Sequence, residues 1–165
     1  MNREITNKAI AIFNNKNVKG TVTFYQLADS DGLQVFFDLY DLPPSTVRAI
    51  HVHEFGDETN GCASLGGHFN PTNKEHGSIF IDINQSHTGE LINNLKSDSS
   101  GRFVYNYFDP RIKISGLVCF SIVGRSVVIH EGIDDLGLGD NPESKITGNA
   151  GARMACAVIG LAKCC

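Results

Sequence analysis

The sequence predicts an all-β domain, an antiparallel sandwich or barrel of short strands. Three observations predict it. Apolar and polar residues alternate with period two in several stretches, and turn-forming dipeptides separate those stretches. Glycine is abundant, at 17 of 165 residues, while charged residues are few, which favours turns and short strands over long helices.

The stretches follow one another along the chain. Residues 20–26, GTVTFYQ, set Val22 and Phe24 against Thr21, Thr23 and Tyr25. Residues 33–40, LQVFFDLY, place Leu33, Val35, Phe37 and Leu39 on one face and Gln34, Phe36, Asp38 and Tyr40 on the other. Within TVRAIHVHEF, an extended chain puts His51 and His53 on one face and turns Ile50 and Val52 into the core. Residues 102–108, RFVYNYF, and 153–162, RMACAVIGLA, alternate similarly, and Val-Val-Ile-His at 127–130 reads as a strand end. Asp31-Gly32, Pro43-Pro44 and Ser100-Gly101 supply turns between them. Two segments break the rhythm: residues 54–90, rich in Gly, Asn, Asp and His, and residues 131–152, rich in Gly, Asn and Asp. Loops of that length are usually functional or disordered, and histidines in or beside both favour function.

A length of 165 residues suits a single domain spanning 1–165. The net charge of −4 and the lack of any Lys/Arg-rich stretch argue against a general nucleic-acid binder. There is no apolar run of about 18 residues, so no membrane-spanning helix is expected. The start, MNREITNK, lacks the apolar segment of a secretory signal, so a cytoplasmic protein is expected. Composition alone then predicts that Cys62, Cys119, Cys156, Cys164 and Cys165 are reduced thiols.

The histidines carry the chemistry. All six, His51, His53, His68, His76, His87 and His130, can be placed in one metal site, with none left over. Neutral imidazole is a good donor to zinc and copper near pH 7. His68, His76 and His87 lie in the long loop with Glu90 three residues beyond His87, and three histidines with one carboxylate make a four-coordinate zinc set. No zinc-finger spacing fits, because the cysteines form no C-x2–4-C pair.

At these residues the chain closely resembles copper/zinc superoxide dismutase. The matching stretches are HVHEFGD at 51–57, GCASLGGHFNP at 61–71, HGS at 76–78, VVIHEGIDDLG at 127–137 and TGNAGARMACAVIG at 147–160. The resemblance implies an eight-stranded antiparallel Greek-key β-sandwich/barrel, immunoglobulin-like in architecture, with a metal-binding loop at about 54–90 and an electrostatic loop at about 131–152. It implies dismutation of superoxide to oxygen and hydrogen peroxide, with one Cu and one Zn per subunit. The implied copper ligands are His51, His53, His68 and His130, and the implied zinc ligands His68, His76, His87 and Glu90. His68 would be shared as a bridging imidazolate and would pass a proton to the product. Asp134 matches the aspartate that links a copper-bound and a zinc-bound histidine, here His51 and His76. Arg153 matches the arginine that docks superoxide, Thr147 the threonine that narrows the channel, and Cys62 and Cys156 the intrasubunit disulfide.

The chain departs from the family's pattern in places. Glu90 stands where an aspartate is usual, and the segment from His76 to His87 is two residues longer than the commonest form. Lys145 is shifted by one from the usual guiding lysine, whose place Ile146 takes, and Pro142 replaces a glutamate. Phe55, Val123, Val158 and Leu161 match the apolar residues through which the family pairs, so a homodimer is expected. Ala152 and Met154, rather than prolines, precede Cys156, which implies that a copper chaperone is not strictly required. A copper-carrying protein is the alternative, because Cys164-Cys165 could bind Cu(I); the six histidines and Arg153 favour the enzyme.

Overall fold

The computed structural model describes residues 4–115 and 118–164, so Cys165 lies outside the described residues. Eight strands form one antiparallel sheet that curls into a nearly closed barrel: β1 (Ile5–Asn14), β2 (Lys19–Leu27), β3 (Leu33–Tyr40), β4 (Val47–His53), β6 (Asn93–Lys96), β7 (Phe103–Asp109), β8 (Ser126–His130) and β9 (Arg153–Ala162). Their order in space is β6-β4-β8-β9-β1-β2-β3-β7. The links from β3 to β4 and from β6 to β7 therefore cross from one end of the order to the other, as in a Greek key. A ninth strand, β5 (Thr59–Cys62), lies in the first long loop, and a four-residue helix, α1 (Ser144–Thr147), lies in the second.

The alternation expected from sequence is realised where a strand has neighbours on both sides. Leu33, Val35, Phe37 and Leu39 of β3 are fully buried, while Phe36 and Tyr40 are exposed. Val22 and Phe24 of β2 join the same core, with Ile50 and Val52 of β4 and Val127 and Ile129 of β8. On β7 the pattern blurs. Phe103 and Tyr107 pack on the core, but Tyr105 is 43% exposed, since β7 ends the strand order and no strand among the described residues pairs with its outer side. β1 is less legible in sequence, since Ala9, Ala11 and Phe13 face the core while Ile12 faces solvent. Its outer face mixes Lys8 and Asn14 with Ile10 and Ile12, so the alternation is broken by apolar residues on the outside.

His51 and His53 occupy the face of β4 opposite Ile50 and Val52, as expected, yet that face is not open: both are essentially buried beneath the long loops. The loops thus build a second, polar interior against the barrel wall.

Phe24→Ala is expected to cost about 3–5 kcal/mol in chemical denaturation, because it removes a fully buried ring and leaves a cavity. Phe36→Ala, on the outer face of the adjacent strand, should change stability by only about 0.5 kcal/mol or less. Similar losses for the two would contradict the assigned faces.

Candidate metal centre

Backbone hydrogen bonds fold the first long loop back onto β4. Phe69 N–H donates to Val52 O at 2.8 Å, Glu54 N–H to Gly67 O at 3.0 Å and Gly89 N–H to Phe69 O at 2.8 Å. His68 forms an isolated bridge with His53, and His76 N–H reaches across to Lys145 O at 2.8 Å. Gly89 is needed for this approach, because a Cβ there would lie 2.5 Å from Val52 O. A short 3-10 turn, Thr88–Glu90, follows His87 and aims Glu90 inward. A bulge between Ile129 and His130 brings His130 opposite Arg153 on β9.

The result is two overlapping clusters of buried side chains. His51, His53, His68 and His130 form one, and His68, His76, His87 and Glu90 form the other, each with its donor atoms within 4.8 Å of one another. His68 belongs to both. The rings of His51 and His68 lie with centroids 3.9 Å apart.

Hydrogen bonds at the periphery decide which nitrogen of each ring faces inward. Asp134 accepts from His51 Nε2 at 2.6 Å through Oδ2 and from His76 Nε2 at 2.8 Å through Oδ1. A carboxylate only accepts, so both rings carry the proton on Nε2 and turn Nδ1 inward. His53 Nδ1 donates to Gly66 O at 3.0 Å and His130 Nδ1 to Gly151 O at 3.1 Å, which leaves their Nε2 atoms 3.2 Å apart. The inward atoms lack partners. His51 Nδ1, both nitrogens of His68, His76 Nδ1, His87 Nδ1 and both oxygens of Glu90 are buried without a hydrogen bond. Glu90 Oε1 stands 2.8 Å from His76 Nδ1 and 2.5 Å from His87 Nδ1, and Oε2 stands 3.4 Å from His68 Nδ1, all without hydrogen-bond alignment. So many buried donors left unsatisfied is costly unless a cation completes them. With Nδ1 of His68 turned to Glu90, its Nε2 faces the other cluster.

Electrostatics separates the clusters. Burial, reinforced by neighbouring His68, pushes His51 down to about 3. Burial likewise brings His130 down to about 4 and holds His53 well below the usual range. These rings are neutral, as ligands must be. Burial also opposes charge on His76, but its bond to Asp134 and the Glu90 carboxylate facing its Nδ1 carry it up to about 9. Burial would raise Glu90 and Asp134, yet the facing imidazoles hold both below their usual carboxylate range.

Around this core the other expected residues find places. Cys62 and Cys156 form a disulfide with Cα atoms 5.8 Å apart, which corrects the expectation of reduced thiols that composition alone gives for that pair. Of the rest, Cys119 is exposed and Cys164 half-buried. Arg153 donates from Nη1 to Cys62 O and from Nη2 to Gly66 O, both at 2.5 Å, so the segment tied by the disulfide also fixes the guanidinium. Burial lowers its pKa, and as an arginine it stays cationic. Thr147, on α1, donates to Glu143 Oε1 at 2.7 Å. Lys145 stands 3.8 Å from Glu75, and Ile146 beside it is 58% exposed.

Sequence reasoning missed Asn93 and Asn94. Asn93 is fully buried with φ +58°, and its Nδ2 donates to Asp134 Oδ2 at 3.0 Å and to Gly77 O at 2.8 Å. Asn94 brackets the Asp134 backbone, donating to its O at 2.9 Å and accepting from its N–H at 2.9 Å. Asp134 lies about 40 residues from both, so no local spacing reveals the contact.

Because His76 is protonated up to about pH 9, a metal entering its cluster displaces that proton, and affinity there falls as pH drops from 9. The rings of His51 and His130 hold no such proton above about pH 4, so these two add little pH dependence between neutral pH and about 5. Calorimetric proton counting in buffers of different ionisation heat is expected to find about one more proton released per metal in the His76 cluster. Equal release by the two clusters would contradict this.

A model of the copper/zinc superoxide dismutase family matches residues 18–159. The chain is 45% identical over 156 residues to the Cu-Zn superoxide dismutase of Humicola lutea, covering 94% of this chain and 99% of that protein. It is 46% identical to that of Talaromyces marneffei and 45% identical to that of Saccharomyces cerevisiae, each match covering 93% of this chain and 97% of the relative. Among solved structures, the clock protein EA4 superposes with a TM-score of 0.86 at 39% identity, covering 98% of this chain and all of that one.

Proposed function

The chain belongs to the copper/zinc superoxide dismutase family, and from that premise we propose how its residues divide the work. The protein dismutes superoxide, two anions and two protons giving one oxygen and one hydrogen peroxide. The observation that carries the assignment is His68, both of whose nitrogens are buried without a partner between two donor clusters. An all-imidazole set of His51 Nδ1, His53 Nε2, His68 Nε2 and His130 Nε2 suits copper in both oxidation states. His68 Nδ1, His76 Nδ1, His87 Nδ1 and Glu90 suit zinc. Copper, when bound, supplies the one-electron couple that oxidises one superoxide and reduces the next, and zinc supplies a fixed charge and a structural tie.

The protein's own groups do the rest. Arg153 docks the anion beside His130: its guanidinium is permanently charged and held by two carbonyls, so little side-chain freedom is lost on binding. Asp134 orients His51 and His76 together, which couples the two clusters. His68 would take up a proton at Nε2 in the half-reaction that oxidises superoxide to oxygen and would give it to the peroxide formed in the other half-reaction. Thr147 narrows the approach. Glu90 reaches one methylene further than aspartate would, and the 3-10 turn and the longer segment before it absorb the difference.

Two further assignments concern assembly. Phe55 and Leu161 are exposed and Val158 is 38% exposed; Phe55, Val123 and Gly124 line one shallow surface, with Val158 against Gly56 beside it. This surface is proposed as the interface of a homodimer. The cytoplasm is its proposed compartment; among the described residues no helix is long and apolar enough to cross a membrane. With Ala152 and Met154 before Cys156, copper loading is proposed not to depend strictly on a chaperone.

Two experiments test this reading. Arg153→Ala in the metal-loaded protein is expected to lower the dismutation rate roughly 10- to 100-fold, the loss of one charge-assisted contact of about 1.5–3 kcal/mol, and to flatten the fall of rate with ionic strength. An unchanged rate and salt dependence would remove Arg153 from docking. Protein made in cells without a copper chaperone is expected to run as a dimer in light scattering with the Cys62–Cys156 disulfide formed. A monomer at micromolar concentration would remove the interface, and reduced protein would remove the independence from a chaperone.

A further inference from the structure

Arg111, just beyond β7, is a largely buried cation on the far side of the zinc cluster, with a side chain 13% exposed. Its guanidinium makes a two-pronged contact with fully buried Asp109, Nε to Oδ1 at 3.2 Å and Nη2 to Oδ2 at 3.1 Å. Asp109 also accepts from the backbone N–H of Arg111 at 2.9 Å and from the Tyr107 hydroxyl at 3.2 Å. Burial, with Asp109 close by, pushes that hydroxyl well above its usual range, so it stays a donor. The carboxylate is thereby saturated and fixes the plane of the guanidinium.

The remaining nitrogen, Nη1, reaches into the metal-binding loop. It donates to Ser86 Oγ at 2.9 Å and to His87 O at 2.8 Å. His87 caps the 3-10 turn Thr88–Glu90 without any side-chain cap, and the turn's own bond, Glu90 N–H to His87 O, is stretched to 3.5 Å. The carbonyl at the hinge between two side chains of the zinc cluster is thus gripped more closely by Arg111 than by its own turn. Ser86 and Arg111 are 25 residues apart, so the contact ties the loop to the barrel wall.

We infer that Arg111, braced by Asp109, is a positioning residue for zinc: it sets the backbone of His87 and through it the spacing of His87 Nδ1 and Glu90. The inference rests on the assignment of zinc to His68, His76, His87 and Glu90. Arginine is suited to the task because its planar fork serves a carboxylate and a carbonyl at once, whereas lysine offers one compact charge. None of the contacts of Arg111 reaches His51, His53 or His130, so its effect belongs to one metal and not the other.

The test is zinc affinity, measured against a chromophoric chelator, and the visible absorption of Co(II) in the same cluster, for wild type, Arg111→Ala, Arg111→Lys and Glu90→Ala. Arg111→Ala is expected to weaken zinc roughly 10- to 100-fold and to alter the Co(II) bands, with copper affinity unchanged. Arg111→Lys is expected to recover part of the loss, and it carries the test alone if Arg111→Ala does not fold: zinc binding weaker than wild type supports the inference and equal binding overturns it. Wild-type zinc affinity in Arg111→Ala, or equal losses for both metals, overturns it too. Unchanged zinc affinity in Glu90→Ala would instead remove the underlying ligand assignment.

Discussion

The carboxylate of Asp134 is the constraint on which the rest of the site depends. It accepts from His51 Nε2, His76 Nε2, Asn93 Nδ2 and the N–H of Leu136, at 2.6, 2.8, 3.0 and 2.7 Å. A buried charge of this kind is tolerable only when saturated with donors. In satisfying it, two imidazoles are forced into one tautomer and one orientation, with Nδ1 turned to the interior. The same atom group joins β4, the loop 54–90 and the loop 131–152. Gly148 shows how tightly it is enclosed: at φ +65°, a Cβ there would lie 2.3 Å from His76 Nε2 and 2.4 Å from Asp134 Oδ1.

The barrel makes that precision possible. β4 and β8 are each paired with strands on both sides, so His51, His53 and His130 project from a wall whose other face is close-packed core. The loops cannot supply such rigidity alone. They acquire it from backbone bonds to β4, from the disulfide between Cys62 and Cys156, and from buried side chains such as Asn93 and Arg111 that reach across to grip them. Function sits on loops held to a rigid scaffold, and here the ties are as specific as the ligands.

The charge pattern follows the same logic on a larger scale. The chain is acidic, at −4, yet an anionic substrate must reach the histidines. Arg153 provides the positive charge at His130, fixed by the carbonyls of Cys62 and Gly66. Lys145 is turned toward Glu75, and exposed Ile146 beside it adds no charge.

Much of this was legible in the chain itself. Period-two alternation located β2, β3, β4 and β9, because a strand with one buried face writes its orientation into adjacent residues. The six histidines, Glu90, Asp134 and Arg153 stood out by residue type and motif. What the sequence could not carry was everything set by contact between distant segments. Whether His51 turns Nδ1 or Nε2 inward depends on Asp134, 83 residues away. The place of β7 at the end of the strand order blurred its alternation, and Ile10 and Ile12 among the polar residues on the outer face of β1 obscured its own. The pairing of Cys62 with Cys156 was legible in the motifs, though composition alone suggests reduced thiols. Asn93, Asn94, Asp109 and Arg111 are common polar residues until the fold closes around them. Local pattern reports which face of a strand is dry, but the satisfaction of buried polar atoms is a property of the assembled interior, and only the tertiary structure decided it.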